Sequence, residues 1–405
     1  MNYNLKKIFL FFVFIIIIYY IGSSYYLYYF DCLPPIVNYE GIINNKYYNG
    51  NMTIKINAED KYKIKYFSLQ LDEKILVNNQ SINSSKMEYP LLIPTIHLTN
   101  GKHKLIMTIT DASKNKNETI ETIYFYVDND PLEINILKSN NTKINQGNIL
   151  HIQLQSNKKI KNGFVKTLNY KVPIVLESIN SSIYEAYIPI STEEICGKYI
   201  ATIYIEDDVD NIASFEYEYE ILTTLFKKQY IQLKNKKNET INLQDREPSE
   251  NINILLKEAA QNSPSKKLWQ GSFYKPCLQS PLTTEFGIIR TSFEKGRYRH
   301  DAVDYAAAPK SPVWACQDGI IVLKNYNDGP IGFGNCVAID HGIGLISLYA
   351  HLDSFSTIEV GQFVKKGTIL GTVGMTGYAT GYHLHWEMRL CDVKINPLEW
   401  IKDDL

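Results

Sequence analysis

Thr380-Gly381-Tyr382-His383-Leu384-His385-Trp386-Glu387-Met388 alternates polar and apolar side chains around an H-x-H triplet. That period of two is the pattern of a β-strand with two different faces. Residues i and i+2 of a strand share a face, so His383 and His385 point into the same space. Upstream lie two further patterns, Tyr349-Ala350-His351-Leu352 and the H-x-x-x-D of His300-Asp301-Ala302-Val303-Asp304. Five of the eight histidines fall between His300 and His385. Each pattern alone is common, and a lone strand histidine is usually structural. Together, in one glycine-punctuated segment, they mark a candidate site.

Imidazole and carboxylate ligands suit zinc, and three protein ligands leave a fourth position for water. Such water ionises near neutral pH, and the metal polarises a carbonyl. Additional histidines can move protons or hold a developing oxyanion. The same residue types also suit a non-haem iron oxygenase with two histidines and one carboxylate. Export to an oxidising compartment, argued below, disfavours that alternative. A cysteine nucleophile is disfavoured because no cysteine sits in a comparable arrangement with histidine. The six cysteines permit disulfides in an exported chain. Cys316 and Cys336 lie in strand-like runs and equally suit small buried positions.

The order of motifs from Pro281 to Trp400 resembles that of the lysostaphin/LytM-type zinc metallopeptidases, which cleave peptide cross-bridges of bacterial cell walls. The matching residues begin with Thr284-Glu285-Phe286-Gly287, then His300…Asp304, Pro312-Val313-Trp314-Ala315 and Asp318-Gly319. They continue through Gly334-Asn335, Asp340-His341-Gly342, Tyr349-Ala350-His351-Leu352 and Val364-Lys365-Lys366-Gly367. Gly374-Met375-Thr376-Gly377, His383-Leu384-His385-Trp386-Glu387 and Asn396-Pro397 complete the set. The resemblance implies a compact antiparallel β domain with zinc on His300, Asp304 and His385. It implies that His351 and His383 are the catalytic pair and that the substrate is the peptide portion of peptidoglycan. Some relatives of this family are non-catalytic activators or scaffolds that have lost ligands, whereas every ligand position is filled here. Two departures stand out: Ala302 where the family has glycine, and Tyr382 where it has proline. Arg290 is spaced unusually from Phe286-Gly287, and no role is assigned to it.

The N-terminus is short and basic, with Lys6 and Lys7, and is followed by the uncharged stretch Ile8–Phe30. A helix of that length reaches about 34 Å, enough to cross a hydrocarbon layer of about 30 Å. The lysines favour a cytoplasmic N-terminus and an exported remainder. A cleaved signal peptide with Ile8–Ile21 as its core is the rival reading. The continuing apolar run and the lack of an A-x-A site favour an anchor.

Between these ends, Pro34 to Ile221 reads as short alternating strands separated by Asn, Gly, Asp and Ser clusters. Gly101–Ile109, followed by Asp111 and Asn115, resembles Gly197–Ile205, followed by Asp208 and Asn211. Gly101 and Gly197 are 96 residues apart (197 − 101), close to one immunoglobulin-like sandwich. The first copy resembles bacterial immunoglobulin-like modules. Spacing the C-terminal domain from the membrane is the expected role of both copies, with cell-wall or division proteins as candidate partners. His97, His103 and His151 are expected to be structural. Thr223 to Pro264 reads as a polar linker with one helix starting at Pro248, with Ile252, Leu255, Leu256 and Ala259 on its packing face.

The 405 residues balance 42 Lys+Arg against 43 Asp+Glu, a net charge of −1. That excludes a chain whose function is coating nucleic acid. The expectation is a mainly β protein: a transmembrane helix or signal over 1–30, and immunoglobulin-like β-sandwiches over 34–130 and 131–222. A linker over 223–270 and a LytM-type domain over 271–405 follow. It is expected in the cell envelope, single-pass in the cytoplasmic membrane with its bulk outside, or secreted if the N-terminal segment is cleaved.

Overall fold

The computed structural model describes residues 3–137, 142–178, 181–230, 247–292, 296–327 and 332–401. Part of the expected linker, 231–246, lies outside them. The chain is mainly β and divides into two compact units. The first comprises Met1–Pro131 with Asp208–Asn211, and the second Leu132–Asp207 with Ile212–Leu405.

The first unit opens with helix α1 (Tyr3–Phe30). Its span Lys6–Phe30 is long and apolar enough to cross a membrane and is not buried within the protein. Strands β1 (Ile36–Glu40), β2 (Tyr47–Tyr48), β3 (Asn51–Leu71), β4 (Lys74–Pro94), β5 (Gly101–Asp111) and β6 (Glu118–Val127) follow. They hydrogen-bond in the order β1-β3-β5-β6-β2, with β4 also on β3. In β3, Met52, Ile54, Ile56 and Ala58 are buried in alternation. The register then breaks between Glu59 and Ile64, and Phe67, Leu69 and Leu71 resume the buried face. Before the break β3 pairs with β1, and after it with β5. One irregular strand thus feeds both parts of a single core that holds Ile54, Phe67, Leu105 and Phe125.

The second unit begins with β7 (Ile134–Ile136), β8 (Lys143–Asn145), β9 (Ile149–Ser156), β10 (Ile160–Thr167), β11 (Tyr170–Pro173), β12 (Val175–Leu176), β13 (Ile183–Pro189), β14 (Gly197–Asp207) and β15 (Ile212–Leu222). They form two sheets, β11-β10-β14-β15-β8 and β12-β13-β9-β7, over a shared core. The internal repeat has a structural counterpart. Hairpins β5–β6 and β14–β15 are antiparallel, and each carries a short parallel strand, β2 on β6 and β8 on β15. The two long strands have equal lengths, so Asp207 rather than Asp208 is the counterpart of Asp111.

Next come β16 (Lys228–Tyr230), helix α2 (Glu247–Gln261), β17 (Leu282–Thr284), β18 (Ile288–Ser292), β19 (Gly296–His300), β20 (Val303–Ala306), β21 (Pro312–Trp314), β22 (Gly319–Asn325), β23 (Asn335–Asp340), β24 (Leu345–Phe355), β25 (Phe363–Val364), β26 (Ile369–Val373), β27 (His383–Leu390) and β28 (Val393–Ile395). A ten-stranded sheet runs β17-β20-β27-β24-β23-β22-β25, with β21, β26 and β28 attached. One face carries Tyr349, Leu384, Trp386 and Met388 in the largest core. Helix α2 covers part of the other face, placing Ile252, Leu256 and Ala260 against Ala338, Ile346 and Leu348. The expected face included Leu255 and Ala259. Leu255 is exposed and Ala259 only partly buried, because the stripe that meets the sheet follows i, i+4, i+8.

The remaining elements are held by side-chain chemistry. His103 Nδ1 bonds Asp72 at 2.7 Å and Nε2 faces the Thr99 carbonyl at 2.7 Å, a structural role. All six cysteines are unbridged, and burial pushes the Cys316 and Cys336 thiols up to about 12. In the second unit, Tyr187 on β13 stacks on Trp400, ring centroids 5.4 Å apart. Glu185 beside it pairs with Lys267 at 2.6 Å and with His151 Nε2 at 3.0 Å. Burial alone would raise the Glu185 pKa, but His151 and Lys267 outweigh it and hold the carboxyl at about 2.

A folded-state pKa below the unfolded one stabilises the fold above the unfolded value, and this contribution is lost as pH falls through the folded value. Thermal melting of the full chain should therefore lose the Glu185 contribution between about pH 4.5 and 2. Glu185→Gln should be about 3 kcal/mol less stable at pH 7, because Lys267 is left buried without its counter-charge. Its melting temperature should depend less on pH in that window. Equal pH profiles for the two proteins would exclude the pair as a stabilising contact.

Candidate metal centre

Strand β27 brings the site together. Its even-numbered residues Leu384, Trp386, Met388 and Leu390 enter the core. His383, His385, Glu387 and Arg389 therefore face the other side. Asp304 on β20 and Ala350 on β24 are the direct partners of His385, and residues opposite one another in an antiparallel pair share a face. His300, at the end of β19, completes the group. His300 Nε2 lies 3.1 Å from Asp304 Oδ1 and 3.2 Å from His385 Nδ1, and His385 Nδ1 lies 3.1 Å from the same Oδ1. All three side chains are buried.

Burial and mutual contact set the charge of these groups. Burial pulls the His300 pKa down to about 4 even against the pull of Asp304, so its ring is neutral at pH 7. Burial works against ionisation of Asp304 too, yet His300 and His385 together hold its carboxyl well below the usual range. The outer nitrogens, His300 Nδ1 and His385 Nε2, are buried with no hydrogen-bond partner among the described residues. His300 Nε2, on a neutral ring, and His385 Nδ1 face one carboxylate oxygen, and together they offer a donor set for a cation.

His351 reaches the site by a different route. Regular alternation from Tyr349, which is in the core, would send residue 351 to the core face as well. Between Asn335↔Leu352 and Val337↔Tyr349 the register slips, so β24 carries an extra residue at 350–351. His351 takes φ 60, a left-handed conformation that costs a non-glycine residue roughly 1 kcal/mol or more. The bulge turns its ring to within 4.8 Å of His383 and 5.6 Å of His385, measured between centroids. Its Nδ1 faces the Thr376 carbonyl at 2.7 Å, and His383 Nδ1 faces the Gly381 carbonyl at 2.8 Å. Each Nδ1 must donate, so each Nε2 keeps its lone pair. Burial lowers both pKa values, with His385 and His383 adding to the effect on His351. The Thr376 turn can lie this close because Gly334 has no side chain: a Cβ there would stand 2.4 Å from the Thr376 backbone.

Two charged groups support the cluster. Arg290, to which the sequence assigned no role, donates Nη2 to Asp304 Oδ2 at 2.8 Å and to Thr284 Oγ1 at 2.7 Å. Its strand, β18, lies between β19 and the distant β16, where Gln229 is its partner, and no local motif signals that placement. Glu387 is fully buried 4.0 Å from His385 Nε2; burial opposes its charge, but Arg389 and Lys394 hold it at about 2. Of the two departures from the family pattern, Ala302 is fully buried and does not line a groove, whereas Tyr382 is exposed beside His383.

Residues 298–397 match the model described as peptidase family M23. The C-terminal domain is a family M23 peptidase domain. The chain is 43% identical over 124 residues to the DD-carboxypeptidase/endopeptidase Mpg of Neisseria meningitidis serogroup B, covering 31% of this chain and 28% of that protein. It is 34% identical over 131 residues to the peptidoglycan DD-endopeptidase ShyC of Vibrio cholerae, covering 30% of this chain and 29% of that protein. Both matches therefore span less than a third of those relatives. The catalytic domain of lysostaphin from Staphylococcus simulans aligns at 26% identity, over 30% of this chain and 90% of that one, with a TM-score of 0.26.

Supporting groups around a metal typically contribute 10–100-fold to its affinity. Arg290→Ala should therefore weaken binding of a divalent metal by about that factor, read by competition with a coloured chelator. Unchanged affinity would mean that Asp304 needs no second anchor.

Proposed function

We propose that this chain is a zinc-dependent endopeptidase that hydrolyses peptide cross-links of bacterial peptidoglycan. The observation that carries the reading is the convergence of His300 Nε2, Asp304 Oδ1 and His385 Nδ1 within 3.2 Å. Two nitrogens and one oxygen, buried and converging on one point, fit zinc. Bound there, zinc would supply an ionised water and polarise the scissile carbonyl. The curated relatives are named for action on the cell wall, and peptidoglycan comes to this chain from that similarity.

The chain's own residues divide the remaining work. His351 and His383 present unprotonated Nε2 atoms, held in orientation by the Thr376 and Gly381 carbonyls. His383 Nε2 is 3.9 Å from Asp304 Oδ1, close enough to orient the attacking water and take its proton. Once protonated, either ring can donate to the oxyanion of the tetrahedral intermediate or to the departing amine. Tyr382, at the rim, is placed to contact the substrate peptide. Helix α1 would anchor the chain in the cytoplasmic membrane with its bulk outside, and the two β modules would act as immunoglobulin-like spacers. The competing reading is a non-catalytic scaffold, and the filled ligand positions favour catalysis.

His385→Ala in the full chain should lose bound zinc, by metal analysis, together with release of peptides from purified sacculi, by mass spectrometry. His351→Ala should keep stoichiometric zinc and lose about 10²–10⁴-fold in rate. Loss of zinc from His351→Ala would exchange the assigned roles. Zinc-loaded wild-type protein that leaves sacculi intact would establish the scaffold reading.

A further inference from the structure

The first unit holds a second cluster of carboxylates. Asp31, just beyond α1, Asp60 in the irregular part of β3 and Asp111 at the end of β5 each bring one oxygen within 4.8 Å of the others. Asp111 is fully buried and Asp31 only 6% exposed. Most of this oxygen set is engaged in holding the backbone. Asp111 Oδ1 accepts from the Ser113 and Asn117 backbone N–H groups and from Ser113 Oγ, and Oδ2 accepts from Asn117 Nδ2. Asp60 Oδ1 accepts from Tyr62 N–H and Asp31 Oδ1 from Leu33 N–H. Asp31 Oδ2 is different: it is buried and has no donor among the described residues.

No lysine or arginine pairs with any of the three among the described residues. Burial raises the Asp60 pKa, and the neighbouring Asp31 and Asp111 raise it further. The internal repeat provides the contrast. Asp207, the counterpart of Asp111, is buried equally but has Lys158 Nζ 3.6 Å away. One copy of the module thus balances its buried carboxylate with a lysine, while the other surrounds it with two more carboxylates. A buried charge without compensation is costly, so the first copy calls for a cation from outside.

We propose that Asp31, Asp60 and Asp111 bind calcium at the junction between α1 and the first β module. The set is all oxygen, which disfavours zinc, and its partly exposed Asp60 leaves room for water ligands. Calcium tolerates irregular geometry of this kind, whereas magnesium demands a near-octahedral shell. The same junction is held by Lys114 N–H on the Tyr28 carbonyl at 2.8 Å and by Asn115 Nδ2 on the Asp31 carbonyl at 2.7 Å. Bound calcium would clamp the end of α1 to the loop after β5 and fix the angle at which the module leaves the helix.

The test uses the full chain in detergent micelles, stripped of divalent cations with EGTA and desalted, in wild type and variants alike. Terbium chloride should show luminescence sensitised by Tyr28 and Tyr62, whose rings lie 6.3 Å apart beside the cluster. Calcium chloride should displace it at about 10⁻⁴–10⁻³ M, the range of extracellular calcium modules. Asp31→Asn and Asp60→Asn should each weaken this at least about tenfold. In EGTA both variants should melt above wild type, since each removes a repelling charge. Calcium should raise wild type by about 5 °C and leave the variants unchanged. Equal calcium responses in wild type and both variants, a response to magnesium matching that to calcium, or variants that melt below wild type in EGTA would each overturn the proposal. Either variant is sufficient if the other does not fold.

Discussion

Strand β27 has to satisfy two environments at once. Its even-numbered residues build the interior of the C-terminal sheet, and its odd-numbered residues build the candidate metal centre and the ion pairs beneath it. Because a strand alternates strictly, a slip of one residue would put imidazoles and Glu387 into an apolar core and Trp386 into the site. Register is therefore fixed by the chemistry on both faces together. Neighbouring strands inherit it: Asp304 and Ala350 reach the functional face because they sit directly opposite His385.

That dependence explains which parts were legible in the sequence. The H-x-H could be read because two residues is the repeat of a strand. The H-x-x-x-D motif could be read as a pair of ligands only through family resemblance, since His300 and Asp304 lie on different strands, β19 and β20. Arg290 stayed silent because its position depends on a long-range pairing. The bulge that turns His351 inward leaves no signature that a single sequence reveals. The α2 stripe was misjudged at Leu255 because periodicity states that a helix has an apolar face, while the narrow surface it meets decides which residues fill it.

Buried carboxylates recur throughout the fold, and each is handled differently. Glu387 is matched by Arg389 and Lys394, Glu185 by Lys267 and His151, Asp207 by Lys158. Asp304 pairs with the Arg290 guanidinium and faces the rings of His300 and His385. Asp340 has no cation among the described residues and is held by hydrogen bonds from Ser263 Oγ and the Gly342 N–H.

The backbone at His351 sets two selective pressures against each other. A left-handed residue in a bulge is most comfortable as glycine, which has no Cβ to clash. A drift toward a more robust fold would favour glycine at this position, and any such replacement would remove the imidazole. The conformational cost is therefore a reserve of stability that can be recovered only by giving up the imidazole. Position 351 is where a more stable backbone and the proposed chemistry exclude one another.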